Sequence, residues 1–161
     1  MKLYHGTNQI IQDIDLSLCM PNKDFGRGFY LTDIRKQAEY MAIRKVEQTG
    51  TGERVVIEYD FDEHLLRSKT LRIKHFEKPT KDWARFILAN RFDPDFTHDY
   101  DIVTGPIAND RVAFQLRRYH QEMISLAQLV RELTYRKLNS QFFFGTEQAV
   151  KHLIKSNIYI F

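Results

Sequence analysis

The residue types best suited to chemistry lie in two short stretches, LYHGT at Leu3–Thr7 and GRGFYLTD at Gly26–Asp33. Alternation puts His5 on the same strand face as Leu3, at the end of an extended segment. Gly6 has no Cβ, so a ligand can approach its backbone closely. A strand-end imidazole beside exposed backbone N–H and C=O groups can hold a ligand amide and a sugar hydroxyl together. In the second stretch Gly26 and Gly28 flank Arg27 and allow a tight turn. The Arg27 guanidinium can fork onto phosphate oxygens or simply stay solvated. Tyr30 offers a flat wall, and a cationic pyridinium stacked on a phenol gains of order 1 kcal/mol. Each residue also has a plainer reading: His5 as a satisfied polar group, Tyr30 as core, Arg27 as surface.

A third stretch, NSQFFF at Asn139–Phe144, reads as a strand with Gln141 and Phe143 on one face and Phe142 and Phe144 on the other. The Gln141 amide can hydrogen-bond a hydroxyl but carries no charge and takes no proton at ordinary pH. Glu147 is the nearest carboxylate in sequence. Behind Thr146 it is better placed to stabilise a helix N-terminus. Strand-face placement favours Gln141 over Glu147 as the third member of a site.

The surrounding pattern predicts the elements that must position these residues. A strand is expected over Lys2–His5 and a loop over Pro21–Gly28. A strand at Phe29–Leu31 then enters a helix capped by Thr32 or Asp33. That helix shows Ile34, Ala38, Met41, Ala42 and Val46 on one stripe, and the glycines at Gly50 and Gly52 end it. RVVIEYDF is a strand with Val55, Ile57 and Tyr59 on one face, and KTLRIKHF a second extended piece with Leu71 and Ile73. Trp83, Phe86, Ile87 and Asn90 share one side of a helix. YDIVTGPIA reads as a buried strand stopped by Gly105 and Pro106. Asn109 is expected to cap the next helix, and Ser125 with Gln128 to form the capping box of another. That last helix carries Leu126, Leu129, Val130 and Leu133. Thr146 is expected to cap a short helix, and NIYIF to be the last strand. Strands and helices are interspersed without a nucleotide-type βαβ glycine loop. The expectation is α+β with mainly antiparallel pairing.

The chain has 161 residues, 43% apolar and 13% aromatic, which fits one domain over residues 1–161 with a real core. Net charge is +3 and no long Lys/Arg run occurs, so an anionic ligand is permitted and nucleic acid is not demanded. One cysteine, Cys19, cannot form an internal disulfide, which fits a reducing compartment. No apolar segment is long enough to span a bilayer, and MKLYHGTN lacks a signal-peptide apolar region. These features predict a cytoplasmic protein with no membrane partner. The six His show no H-x-x-x-H or H-E-x-x-H spacing, so no metal is expected.

LYHGT followed by GRGFYLTD resembles the His and Tyr segments of the ADP-ribosyltransferase superfamily. The nearer branch is that of diphtheria toxin and the poly(ADP-ribose) polymerases, whose motif is His-Tyr-Glu. DWARFILANR, YDIVTGPIANDRV and QFFFGTEQA are similar to an uncharacterised prokaryotic domain family of that superfamily. The resemblance implies split antiparallel sheets with flanking helices, NAD as substrate and no metal. It implies that His5 orients a ribose hydroxyl and the nicotinamide amide. Gly6 would offer its backbone to that amide, Thr7 would line the same wall and Tyr30 would stack on the nicotinamide. Arg27 and Gly28 would lie by the dinucleotide. A second aromatic of the polymerases falls by spacing on Met41, with Tyr40 beside it. The family pattern has Glu where this chain has Gln141.

Cleavage of the nicotinamide–ribose bond develops an oxocarbenium-like cation, and the leaving group departs neutral. Chain elongation needs a base to activate a sugar hydroxyl, which an amide does poorly. Transfer of a single ADP-ribose is therefore the expected reaction. The acceptor is a protein, a nucleic acid or a small molecule, and a toxin or conflict-effector role with an antitoxin protein as partner follows by analogy. Gln141 also favours an alternative, a non-catalytic module binding NAD, ADP-ribose or a partner. A third reading, an enzyme acting on RNA ends, calls for a focused basic surface, whereas the charge here is diffuse.

Overall fold

In the computed structural model, which describes residues 1–108, 110–134 and 139–161, strands and helices are interspersed along the chain. The order is β1 (Lys2–Thr7), β2 (Phe29–Leu31), α1 (Arg35–Thr49), β3 (Val55–Asp60), β4 (Ile73–His75), α2 (Lys81–Phe92), β5 (Ile102–Pro106), α3 (Asp110–His120), α4 (Leu126–Thr134), β6 (Ser140–Phe144), α5 (Glu147–Val150) and β7 (Ile154–Ile160). The fold is α+β, with two sheets among the described residues. One has the order β1-β3-β7 and the other β2-β6-β5-β4. Pairing is antiparallel except between β4 and β5, which run parallel.

Side-chain alternation builds four layers. Leu3, Val55, Ile57 and Tyr59 of the first sheet meet Phe29, Leu31, Phe142 and Phe144 of the second in a core between the sheets. Val56, on the other face of β3, packs with Ala38 and Ala42 of α1. Val103 and Phe143, on the far face of the second sheet, pack with Trp83, Ile87, Val112, Leu116, Leu129 and Leu133 of α2, α3 and α4. The faces expected for β6 are the ones observed: Phe143 looks toward the helices, Phe142 and Phe144 toward the first sheet.

Beyond that packing, among the described residues the sheets are hydrogen-bonded to each other at one isolated bridge, Tyr4 to Thr32. Tyr4 N–H donates to Thr32 O at 2.7 Å and Thr32 N–H to Tyr4 O at 3.0 Å. Helix α1 lies against β1 at Gly6, where an added Cβ would stand 1.9 Å from the Ala38 carbonyl oxygen. Glycine is required there by contact rather than by φ.

Several boundaries depart from the sequence expectation. The cap of α1 is Ile34, which makes no side-chain cap bond, while Thr32 Oγ1 accepts from the Ile34 N–H at 3.1 Å. Of the expected α1 stripe only Ala38 and Ala42 are buried. Ile34 and Met41 are exposed, while the helix meets β1 at Gly6 through the backbone of Ala38 and Ala42, where only small residues fit. KTLRIKHF contributes a strand of three residues, Ile73–His75. β5 runs on through Gly105 and Pro106, paired to Gln141 and Ser140. β4 ends opposite Thr104, so Pro106 faces no strand on that side and its missing N–H costs nothing. β1 continues to Thr7, and β7 begins at Ile154, before Asn157.

Other local signals hold. Gly50 caps α1 in the left-handed region at φ 66°. Thr146 accepts from Ala149 N–H at 3.2 Å, and Thr80, a cap that sequence reading did not single out, accepts from Trp83 N–H at 3.2 Å. Ser125 and Gln128 bond reciprocally, at 2.8 and 3.1 Å. Asn109 lies outside the described residues. Among the described residues no helix is long and apolar enough to cross a membrane.

Because the Gly6 Cβ would meet backbone rather than a flexible side chain, Gly6→Ala should destabilise by at least about 2 kcal/mol. Urea unfolding of the variant measures this, and a change under about 0.5 kcal/mol would refute the close approach.

Candidate functional site

The bridge between the sheets gathers all three motif segments. Residues in register across a sheet lie side by side. Tyr30 faces Phe143 across β2 and β6, and the same register sets Thr32 opposite Gln141. Thr32 in turn meets Tyr4, the neighbour of His5. His5, Tyr30 and Gln141, separated by 25 and 111 positions in sequence, thus converge at the junction of the sheets. Glu147 lies past the other end of β6, exposed in the first turn of α5.

His5 reaches across the junction. Its Nδ1 lies 2.8 Å from the Tyr30 carbonyl oxygen. A carbonyl only accepts, so Nδ1 carries the proton, and in the neutral ring Nε2 then bears a lone pair. The imidazole stacks on Phe29, with centroids 4.3 Å apart at 28°. Burial lowers its pKa to about 4, against the opposing bond to Tyr30, and the Lys45 ammonium pushes the same way as burial. His5 is therefore neutral at physiological pH and presents an acceptor.

Tyr30 points to the other side of β2. Its ring sits edge-on to Phe143, with centroids 5.3 Å apart at 63°. Its hydroxyl donates to Gly26 O at 2.7 Å and accepts from Phe25 N–H at 2.9 Å. Burial above all holds its pKa well above the ordinary phenol value. The two rings expected to pinch one ligand are thus joined through the Tyr30 carbonyl rather than face to face. Imidazole lies in the layer between the sheets and phenol in the layer under the helices.

Gly6 supplies a second backbone feature. Tyr4 directs its N–H and C=O away from β3, to Thr32. Two residues on, Gly6 directs its own pair to the same edge. There the Tyr30 carbonyl is already taken by His5, and Gly6 makes no bond outside the β1–β3 pairing among the described residues. Among the described residues an unpaired donor and acceptor therefore stand on the β1 edge just past the bridge, next to His5. Thr7 is buried beside them. Tyr40 and Met41 are 56% and 50% exposed on the adjoining helix, and Lys45 follows Met41 by one turn.

The loop before β2 is anchored by a buried charge that residue spacing did not bring out. Asp24, 7% exposed, accepts from Arg91 Nε at 2.8 Å on Oδ1. On Oδ2 it accepts from Gln141 Nε2 at 2.9 Å and Ala108 N–H at 3.2 Å. Gly26 takes φ 93°, and at Gly28 an added Cβ would meet Phe143 and the Phe144 carbonyl within 3 Å. Arg27 between them is exposed. Asp24, Arg91, Lys45 and Phe29 are the neighbours sequence reading missed. For two of them a signal exists: Arg91 follows Trp83 and Ile87 at four-residue steps on the inner side of α2, and Lys45 follows Ala38 by seven on α1.

A separate surface hollow of about 590 Å³ lies at the α3–α4 turn, lined by Tyr119, His120, Met123 and Gln128 among others. It includes none of the motif residues. Among the described residues no group of three or more His, Cys, Asp or Glu is arranged to hold a metal.

A family model described as "Protein of unknown function (DUF3990)" matches residues 1–154, and the chain belongs to that family. No curated protein and no solved structure matches it.

The His5 ring should titrate near pH 4 instead of 6.5, followed by NMR of its ring protons. The folded state then resists a proton that the unfolded chain accepts near 6.5. Stability is full above that pH and falls as pH drops from 6.5 toward 4, by about 2 kcal/mol for a partly solvated ring. A midpoint above 6 would contradict the neutral, carbonyl-bound imidazole.

Proposed function

We propose that this chain is an NAD-dependent mono-ADP-ribosyltransferase on an ADP-ribosyltransferase-like split-sheet fold. The observation that carries the reading is the unpaired Gly6 N–H and C=O beside the free Nε2 of His5. A carboxamide such as that of nicotinamide both donates and accepts, so it complements the Gly6 pair at two points. Nε2 is then poised to accept from a ribose hydroxyl. Tyr30 and Met41 are the proposed stacking groups, and for Tyr30 to serve, the nicotinamide ring must reach over the β2 edge that His5 holds. Gln141 is the proposed ribose anchor on the opposite side.

With the ligand held at both ends, the nicotinamide–ribose bond breaks to release neutral nicotinamide, and an acceptor nucleophile adds to the exposed ribose carbon. His5 orients rather than transfers a proton, since burial lowers its pKa to about 4 and leaves it too weak a base to take one. The acceptor is a protein, nucleic acid or small molecule, and single-unit transfer follows from the uncharged Gln141.

One observation favours a second reading, a non-catalytic NAD- or ADP-ribose-binding module. Gln141 is neutral, and the carboxylate behind it is paired with Arg91 at 2.5 Å. The charge that would steady an oxocarbenium ion is thereby muted.

NAD labelled in its adenylate part, incubated with the protein and a cell lysate, separates the two. The enzyme reading predicts nicotinamide release and label transfer, each lowered about 100-fold or more by His5→Ala and by Tyr30→Ala. NAD bound without release or transfer would establish the binding module instead.

A further inference from the structure

Gln141 is 8% exposed, and its two amide atoms have different fates. Nε2 donates to Asp24 Oδ2 at 2.9 Å and lies 3.5 Å from the Pro106 carbonyl oxygen. Both neighbours are pure acceptors, so the amide cannot be turned over without setting oxygen against oxygen. Oε1 is bonded to no donor among the described residues. The one fully buried side-chain polar atom without a partner among them is the Tyr59 hydroxyl, so Oε1 is not sealed from solvent. Asp24 is itself held from several directions. Arg91 binds Oδ1, Ala108 N–H binds Oδ2, and the Tyr30 hydroxyl clamps the adjoining Phe25 and Gly26.

We propose that Asp24 is a positioning residue: by engaging Gln141 Nε2 it leaves Oε1 turned to solvent at the head of β6 as an acceptor for the 2′-hydroxyl of the nicotinamide ribose. The inference rests on the NAD reading of the same site. Arg91 balances the Asp24 charge on the opposite oxygen, so Asp24 supplies orientation rather than net charge. The arrangement gives a purpose to an acid that sequence reading leaves as a turn residue. It also supplies a reason for Gln at position 141, because a carboxylate there would face the carboxylate of Asp24.

The test compares binding of NAD with binding of an NAD analogue lacking the 2′-hydroxyl of the nicotinamide ribose, by titration calorimetry. Wild type should prefer NAD by about tenfold, the worth of one well-placed hydrogen bond. Asp24→Asn and Gln141→Ala should each bring that ratio close to one, and the double variant should lower it no further. A purely structural role for Asp24 would weaken both ligands alike and leave the ratio intact, which would overturn the inference. Wild type that binds NAD without preference would also overturn it. No binding of NAD by wild type would overturn the functional reading and the inference with it. Should Asp24→Asn fail to fold, the Gln141 side-chain NH₂ of the wild-type protein is read directly by ¹⁵N NMR. Slow exchange of those protons supports the Asp24 contact, and free exchange refutes it.

Discussion

The site depends on a single pair of backbone hydrogen bonds, Tyr4 to Thr32 and back, where the two sheets meet. Were β1 to pair with β2 along its length, the Gly6 N–H and C=O would be consumed by the ladder and the junction would close. Ending the pairing after one bridge leaves polar backbone groups without a protein partner among the described residues, a cost that folded chains normally avoid. The His5 imidazole offsets part of it by binding the Tyr30 carbonyl, which gives His5 a structural role beside the one proposed for it. The remaining groups are the ones a carboxamide would complete.

Everything around the bridge keeps it from widening or slipping. Helix α1 presses on Gly6 through Ala38 and Ala42, small residues that admit close approach. Phe29 packs under His5 and edge-on to Tyr59, with centroids 5.8 Å apart. On the other side the Asp24 cluster ties the turn before β2 to α2, to Ala108 just past β5 and to β6. A buried ion pair of this kind is a poor source of net stability but a strong source of geometry, because any other arrangement strands a charge. Rigid walls around a narrow set of unpaired groups fit the demands of a reaction driven by positioning.

Much of this was legible in the sequence. Strict alternation in QFFF separated Gln141 and Phe143 from Phe142 and Phe144, as their packing on opposite faces bears out. Ser125 with Gln128, and Thr146 as a cap, followed from local hydrogen-bond chemistry that needs no tertiary partner. The α+β class followed from the interspersed periods. What could not be read was long-range. Asp24 looks like a turn acid until α2 brings Arg91 against it. Nothing local sets the layer into which the Tyr30 phenol points relative to the His5 imidazole, because that depends on how β1 leaves the second sheet. The α1 stripe misled for the same reason: its period was right, but a glycine floor on β1 left Met41 outside.

The central claim is that the Gly6 backbone receives a carboxamide at the split. Nicotinamide titrated into ¹⁵N-labelled protein tests it most directly. A saturable shift of the Gly6 amide resonance, accompanied by the His5 ring, is the expected result. A silent Gly6, with shifts confined to the hollow between Tyr119 and Gln128, would contradict it.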